Sequence, residues 1–245
     1  MPRFFVPTEN FDGESVKITG SDAFHIARSL RMAVGDEITV CDMQSREHTC
    51  RLEKIRDDEC VCSIVSTNEG NTESPAEITL FMGYPKGDKL EFIVQKAVEL
   101  GASRIVPFES SRCIKRPKAE KVEKQTARLS RIAEEAAKQC GRAKLPTVEA
   151  PISFNEALSR AKEDALALFC YEGDGTRSLK ECLADAGSYK KISVLVGPEG
   201  GFSMEEAEAA KNKGLLSANL GPRILRCETA PIYALSAISY ETELS

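Results

Sequence analysis

Two short stretches carry residue types able to hold a ligand and act on it. Val194–Ser203 reads VLVGPEGGFS, an apolar run entering a Gly-Pro-Glu-Gly-Gly turn, and Leu220–Pro231 reads LGPRILRCETAP. The first turn offers one carboxylate, Glu199. The second offers two guanidiniums, Arg223 and Arg226, with Ile224 and Leu225 between them. Glycines let a ligand approach the main chain and permit positive φ, expected here at Gly200. A carboxylate can accept a proton, a guanidinium can stabilise a developing anion, and an apolar pair between guanidiniums suits a flat, partly charged ligand. A phosphate loop does not fit, because no Lys-Ser/Thr follows and Glu205 and Glu206 occupy the positive end of the next helix. A dinucleotide pocket does not fit either: it wants a carboxylate about twenty residues on, and none stands between Lys211 and Cys227.

Other chemistries have little support. The two histidines, His25 and His48, lie far from further ligands in sequence, so neither a metal site nor a Ser-His-Asp engine is expected. Nine cysteines is an odd number in a chain too long to need disulfides. Cys60 and Cys62, in the alternating run ECVCSIVST, are expected to pack as small hydrophobes on one face of a strand.

The elements that position the two turns follow from periodicity. EITVCD (37–42), HTCRLEKI (48–55) and ECVCSIVST (59–67) read as short strands of a small barrel, interrupted by a helix over Asp22–Met32 capped by Ser21. EGNTESPAE (69–77) has linker composition. Beyond it strands alternate with helices: strands at 78–83, 104–108, 165–170, 192–196 and 217–220, with helices over Leu90–Leu100, Lys118–Cys140, Leu179–Ala184, from Met204 and at the carboxyl end. That order predicts an α/β domain with a mostly parallel sheet and helices on both faces. Ser203 and Glu206 form an S-x-x-E box, so the glycine turn lies between a strand's carboxyl end and a helix start, where open α/β sheets bind ligands. No apolar run reaches the roughly 18 residues of a membrane helix, and the amino terminus does not read as a signal peptide. The expected location is cytoplasmic, with no membrane partner.

Net charge is −5, yet residues 103–144 hold twelve Lys/Arg against five Asp/Glu. That local +7 leaves −12 on the rest of the chain, a distribution suited either to a polyanion surface or to a solvated helix with i,i+4 pairs such as Glu120–Lys124.

The same motifs resemble a known family. GPEGGFS, LGPRILRCETAPIYALSAISY, QKAVELGASRIVPF (95–108), SSRCIK (110–115), QCGR (139–142), PRFFV and HIARSLRMAVGD (25–36) are together similar to the RsmE family, the 16S ribosomal RNA uracil-N3 methyltransferases of the SPOUT class. The resemblance runs end to end. It implies a PUA-like RNA-binding β-barrel over 1–72, a SPOUT methyltransferase domain with a trefoil knot over 73–245, S-adenosylmethionine as methyl donor, 16S rRNA in the small ribosomal subunit as partner, and a homodimer. It places the cofactor on Leu195, Val196, Gly197, Glu199, Gly200 and Gly201 of the first turn, and on Leu220, Gly221, Ile224 and Leu225 of the second. Cys227 stands where the family often has Thr, and Lys138 where an acidic residue or Gln is common.

Uracil N3 becomes nucleophilic only once its proton leaves, with charge spread onto the flanking oxygens. Arg226 is the candidate to stabilise that anion, Arg223 the second; Glu199 and Glu228 are candidates for proton acceptor or for loop braces. Arg3, Arg28 and Arg31, beside Phe4 and Phe5, are expected to grip RNA, as are Arg112, Lys115 and Arg116. Two alternatives stay open: a SPOUT enzyme acting on another RNA position such as a ribose 2′-hydroxyl, and a non-catalytic RNA-binding assembly factor.

Overall fold

A computed structural model describes residues 1–244 other than Lys115, Lys118 and Asp185. Its contacts divide the chain into two units, residues 1–73 with 137–145, and residues 74–136 with 146–245. The sequence places the boundary at 72/73 and gives no sign that nine later residues join the first unit.

The first unit is a six-stranded mixed sheet. Its strands are β1 (Arg3–Phe5), β2 (Phe11–Asp12), β3 (Ser15–Thr19), β4 (Glu37–Cys41), β5 (Arg46–Ile55) and β6 (Glu59–Glu69), in the order β1-β4-β5-β6-β3-β2. Only β1 and β4 run parallel. Alternation sends Val16, Ile18, Ile38, Val40, Cys50, Leu52, Cys60 and Cys62 into one core, so the paired thiols of β6 pack as hydrophobes. Phe4 is fully buried in that core and Phe5 nearly so, which removes both from any stacking on RNA bases. The helix expected from Asp22 begins at Gly20 as α1 (Gly20–Phe24) without a Ser21 side-chain cap, then widens over His25–Ser29 into i→i+5 turns. Arg31, with φ of 51°, ends it, because a left-handed residue cannot continue a right-handed helix.

The returning segment 137–145 is fixed by charge. Arg142, 3% exposed, donates to both carboxylate oxygens of Glu73, the shortest contact being 2.6 Å, and Glu73 also accepts from the amides of Ala143 and Lys144. Lys138 has its own local account: its ammonium sits 3.0 Å from Asp22 and 5.4 Å above the Phe4 ring. Burial by itself would raise the Glu73 carboxyl, but Arg142 and the two amides hold it below the usual range. The stability it contributes is therefore complete above the unfolded value of ~4 and lost as pH falls through the lower folded value. Glu73→Gln should cost about 2 kcal/mol at neutral pH, the range for losing a hydrogen-bonded charge. Urea midpoints at neutral and acid pH should converge for variant and parent; an unchanged gap would overturn the assignment.

The second unit is an all-parallel sheet. Its elements are β7 (Glu77–Gly83), α2 (Lys89–Glu99), β8 (Ala102–Glu109), α3 (Ala119–Cys140, whose last four residues belong to the first unit), β9 (Thr147–Val148), β10 (Ile152–Ser153), α4 (Phe154–Ala161), β11 (Leu166–Cys170), β12 (Arg177–Ser178), α5 (Leu179–Cys182), β13 (Lys191–Val196), α6 (Met204–Asn212), β14 (Leu216–Asn219) and α7 (Thr229–Glu243). The strand order is β10-β8-β7-β13-β11-β14-β12, with β9 beside β8. Phe81, Val106, Phe169 and Leu195 face α4 and α6, where Ala157, Leu158, Ala161 and Ala210 leave room for the aromatic rings. Their alternates Leu80, Met82, Ile105 and Val194 are equally buried. They lie on the opposite face, where α2 and α7 pack on each other and against β8 and β13. Burial on both sides explains why the middles of these strands are mostly apolar, with Thr79 and Ser193 the buried polar exceptions.

Candidate functional site at the carboxyl ends of three parallel strands

β11, β13 and β14 are neighbours, so the segments leaving their carboxyl ends meet around one cavity of about 740 Å³. After β13, Phe202 anchors the glycine turn in the core, its ring 4.2 Å from that of Phe169 and stacked on Phe108 at 6.1 Å. The turn closes through Gly201 N donating to Pro198 O at 2.9 Å. Positive φ falls on Gly201 (63°), not on Gly200 as expected from sequence. What a side chain at Gly200 would meet is Arg112, whose Cβ lies 3.0 Å from an added Cβ.

The start of α6 forms as the sequence indicates. Ser203 Oγ accepts from Glu206 N at 3.2 Å and Glu206 returns the bond to Ser203 N at 2.9 Å. Glu206, only 8% exposed, also accepts from Ser111 N at 2.8 Å, while Arg112 donates to Gly200 O at 3.1 Å. Ser111 and Arg112 thus brace the glycine turn and the start of α6.

After β14 the chain turns at Gly221 and runs exposed through Arg223, Ile224 and Arg226, with Leu225 partly covered, before Cys227 re-enters the interior. The amides of Thr229 and Ala230 both donate to Arg226 O, at 2.8 and 3.0 Å, fixing the backbone from which that side chain projects. Among the described residues neither Arg223 nor Arg226 has a hydrogen-bonded or ionic side-chain partner. From the exit of β11 come Cys170, Tyr171, Glu172 and Thr176, and Asn219 donates to Thr176 Oγ1 at 3.3 Å.

One cation joins these parts. Lys89 Nζ lies 3.3 Å from Glu199 Oε1, 3.1 Å from Glu228 Oε2 and 3.6 Å from Cys227 Sγ. Glu199 also accepts from Lys86 N at 3.1 Å. Hydrogen bonding to Glu228, and then to Glu199, pushes the Lys89 ammonium up despite desolvation. Burial would raise both carboxyls, but amide and ammonium donors, with Cys227 Sγ for Glu228, hold each below the usual range. Burial, the hydrogen bond to Glu228 and the nearby Glu199 charge push the Cys227 thiol up to about 12. Glu199 and Glu228 are therefore fixed anions that brace loops, poorly suited to accept a proton near neutral pH.

Eight of the ten residues expected to hold a cofactor line the cavity: Val196, Gly197, Glu199, Gly201, Leu220, Gly221, Ile224 and Leu225. Leu195 lies in the core, and Gly200 is exposed and not among the lining residues. Sequence reasoning missed Lys89 and the β11 exit. For Lys89 a signal existed: a lysine in the first turn of a helix opposes the helix dipole and calls for anionic partners. The short span from Cys170 to Thr176 carries no comparable mark.

The expected RNA-gripping residues scatter. Within the first unit Arg3 turns inward, to Glu47, Cys41 and the Arg142 carbonyl. Arg28 is exposed and forks onto Asp57 at 2.6 and 2.8 Å, and Arg31 is exposed. Within the second, Arg112 braces Gly200 and Arg116 is exposed, 3.9 Å from Glu109; Lys115 lies outside the described residues. In the basic stretch Arg104, Arg116, Arg128, Lys138 and Arg142 all have acidic partners, which trims the free positive charge there. Among the described residues no cluster of His, Cys, Asp or Glu is arranged to hold a metal, and no helix is long and apolar enough to cross a membrane.

A small β unit thus precedes a parallel sheet that carries a cavity lined by glycines and arginines. The RNA methyltransferase domain family matches residues 72–239 and the RNA methyltransferase PUA domain family residues 18–65. At 35% identity, covering 100% of this chain and 98% of the relative, the chain resembles the ribosomal RNA small subunit methyltransferase E of Bacillus subtilis (strain 168), and it belongs to that family. Among solved structures, the Neisseria gonorrhoeae ribosomal RNA small subunit methyltransferase E bound to S-adenosyl methionine is similar at a TM-score of 0.85 and 33% identity, over 98% of this chain and 97% of that one. A Legionella pneumophila methyltransferase in complex with the bound cofactor SAM matches at 0.86 and 30%, over 97% and 96%.

Proposed function

We propose that this chain is a cytoplasmic, homodimeric methyltransferase. It transfers the methyl group of S-adenosylmethionine to N3 of a uridine in 16S rRNA of the small ribosomal subunit. The observation that carries this reading is the cavity at the ends of β11, β13 and β14, with two unpartnered guanidiniums at its edge. The cavity suits the cofactor chemically. Its glycine segments expose main chain, while Glu172 and Glu199 supply anionic wall for a cationic sulfonium and amine. The residues that would hold it are Val196, Gly197, Glu199, Gly201, Leu220, Gly221, Ile224 and Leu225. Bound there, S-adenosylmethionine supplies an electrophilic methyl group.

The protein's own contribution is electrostatic. With Glu199 and Glu228 pinned as anions by Lys89, the N3 proton departs to water, and Arg226 stabilises the charge that spreads onto the base oxygens. Self-association is supported by the exposed rings of Phe92 on α2 and of Tyr233 and Tyr240 on α7, the latter pair seven residues apart on one helical face.

The test uses labelled S-adenosylmethionine and small subunits from a strain lacking the activity, with the modified atom mapped. Label at uridine N3 of 16S rRNA supports the reading. Label on a ribose oxygen, or none at all, overturns it.

A further inference from the structure

We infer that Lys89 is a positioning residue whose single ammonium ties both cofactor loops to the start of α2. This inference rests on the proposed cofactor site and concerns how this chain holds it in shape. Three observations carry it. The first is connectivity: Glu199 belongs to the β13–α6 turn, Glu228 to the β14–α7 turn, and Lys89 opens α2 after β7, so one side chain joins three separate connections.

The second is placement. A cation in the first turn of a helix faces the positive end of the helix dipole, so Lys89 is unfavourable there unless anions compensate. Two do, at 3.3 and 3.1 Å. The third is what Glu228 adjoins. It lies two residues past Arg226, whose carbonyl accepts from Thr229 and Ala230. Holding Glu228 therefore holds the turn that presents Arg226 to the cavity.

Lys89 has no other obvious task. Its charge is shared by two carboxylates, so little remains for RNA phosphate, and an ammonium so stabilised does not act as a base. Without it, Glu199 and Glu228 would confront each other as uncompensated anions, and the two turns would separate.

The test compares parent, Lys89→Met, Lys89→Arg and the double variant Lys89→Met/Glu228→Gln. In the protein without cofactor, backbone amide exchange over 197–202 and 221–228 should quicken in Lys89→Met. By calorimetry, its affinity for S-adenosylmethionine should fall ~10–100-fold, the range for removing a residue that orients ligand-holding groups. The loss should shrink as pH is lowered towards 5, because protonating one carboxylate relieves the repulsion, whereas the parent should stay flat there. The double variant should recover most of the affinity, and Lys89→Arg part of it.

A loss independent of pH, or no recovery in the double variant, would reduce Lys89 to ordinary packing and overturn the inference. So would parental affinity and exchange in Lys89→Met. If Lys89→Met does not fold, the double variant carries the test, since native exchange and affinity there are expected only if charge repulsion is the fault. Failure of the parent to bind S-adenosylmethionine would instead sink the proposed function, so the two failures are distinguishable.

Discussion

Arg226→Ala should cut methyl transfer by ~10²–10³-fold while leaving cofactor affinity nearly unchanged, the range for losing one donor to a developing oxyanion. The structure supports that split. The Arg226 backbone is held by the first amides of α7, so truncating the side chain leaves the turn in place. The guanidinium itself has no partner among the described residues, so its removal strands no buried charge. Arg226→Lys should rescue little, because a point charge cannot bridge two atoms as a planar fork does. A phosphate-gripping role would give weaker RNA binding, a near-normal rate at saturating RNA and substantial rescue by lysine. Single-turnover methylation with saturating small subunits decides between them, and a normal rate for the alanine variant removes Arg226 from the chemistry.

Gly83→Ala should damage the enzyme nearly as badly from the other side of the site. Gly83 ends β7, and a Cβ there would lie 2.4 Å from Pro198 Cδ, 2.5 Å from Pro198 N and 2.9 Å from Gly197 C. Two of those atoms are main chain, so no rotamer change relieves the clash; the glycine turn itself must move. Overpacking of this kind costs about 1–3 kcal/mol, and a 1 Å displacement of positioning groups lowers turnover ~10²-fold. Unlike Arg226→Ala, this variant should also lose cofactor affinity. Gly187→Ala is the control, since its Cβ would meet only Glu241 O at an ordinary 3.8 Å. Calorimetry and urea denaturation on the three proteins separate the effects. Parental binding in Gly83→Ala would show that the turn is not tied to β7.

The periodic elements were legible because their faces differ in polarity. ISVLV and ALALFC announce buried strands by being almost wholly apolar, and Ser203 with Glu206 marks the start of α6 to the residue. α4 escaped notice although Ser153 caps it, because its eight residues are too few for a helical stripe to stand out. The left-handed residue was misplaced by one within Gly200–Gly201, since composition cannot say which of two adjacent glycines takes the turn. Contacts between distant segments were the least legible. Neither Lys89 nor Arg112 lies in the motifs that define the cavity, and each acts through a partner about ninety or more residues away. Arg3 misled for the same reason: arginine reads as surface charge until Glu47 and the Arg142 carbonyl are seen around it.

The return of residues 137–145 to the first unit has a consequence for how the chain comes off the ribosome. Glu73 emerges some seventy residues before Arg142, the partner that neutralises it. At roughly 5–20 residues per second that is a wait of about 4–14 s, during which the amino-terminal sheet is exposed with an acidic side chain lacking its counter-ion. The amino-terminal part is thus not a module finished early and set aside. Its last piece arrives only some seventy residues after its own sheet is complete, so a stalled or truncated product ending before residue 142 would carry an incomplete fold from its first strand onward.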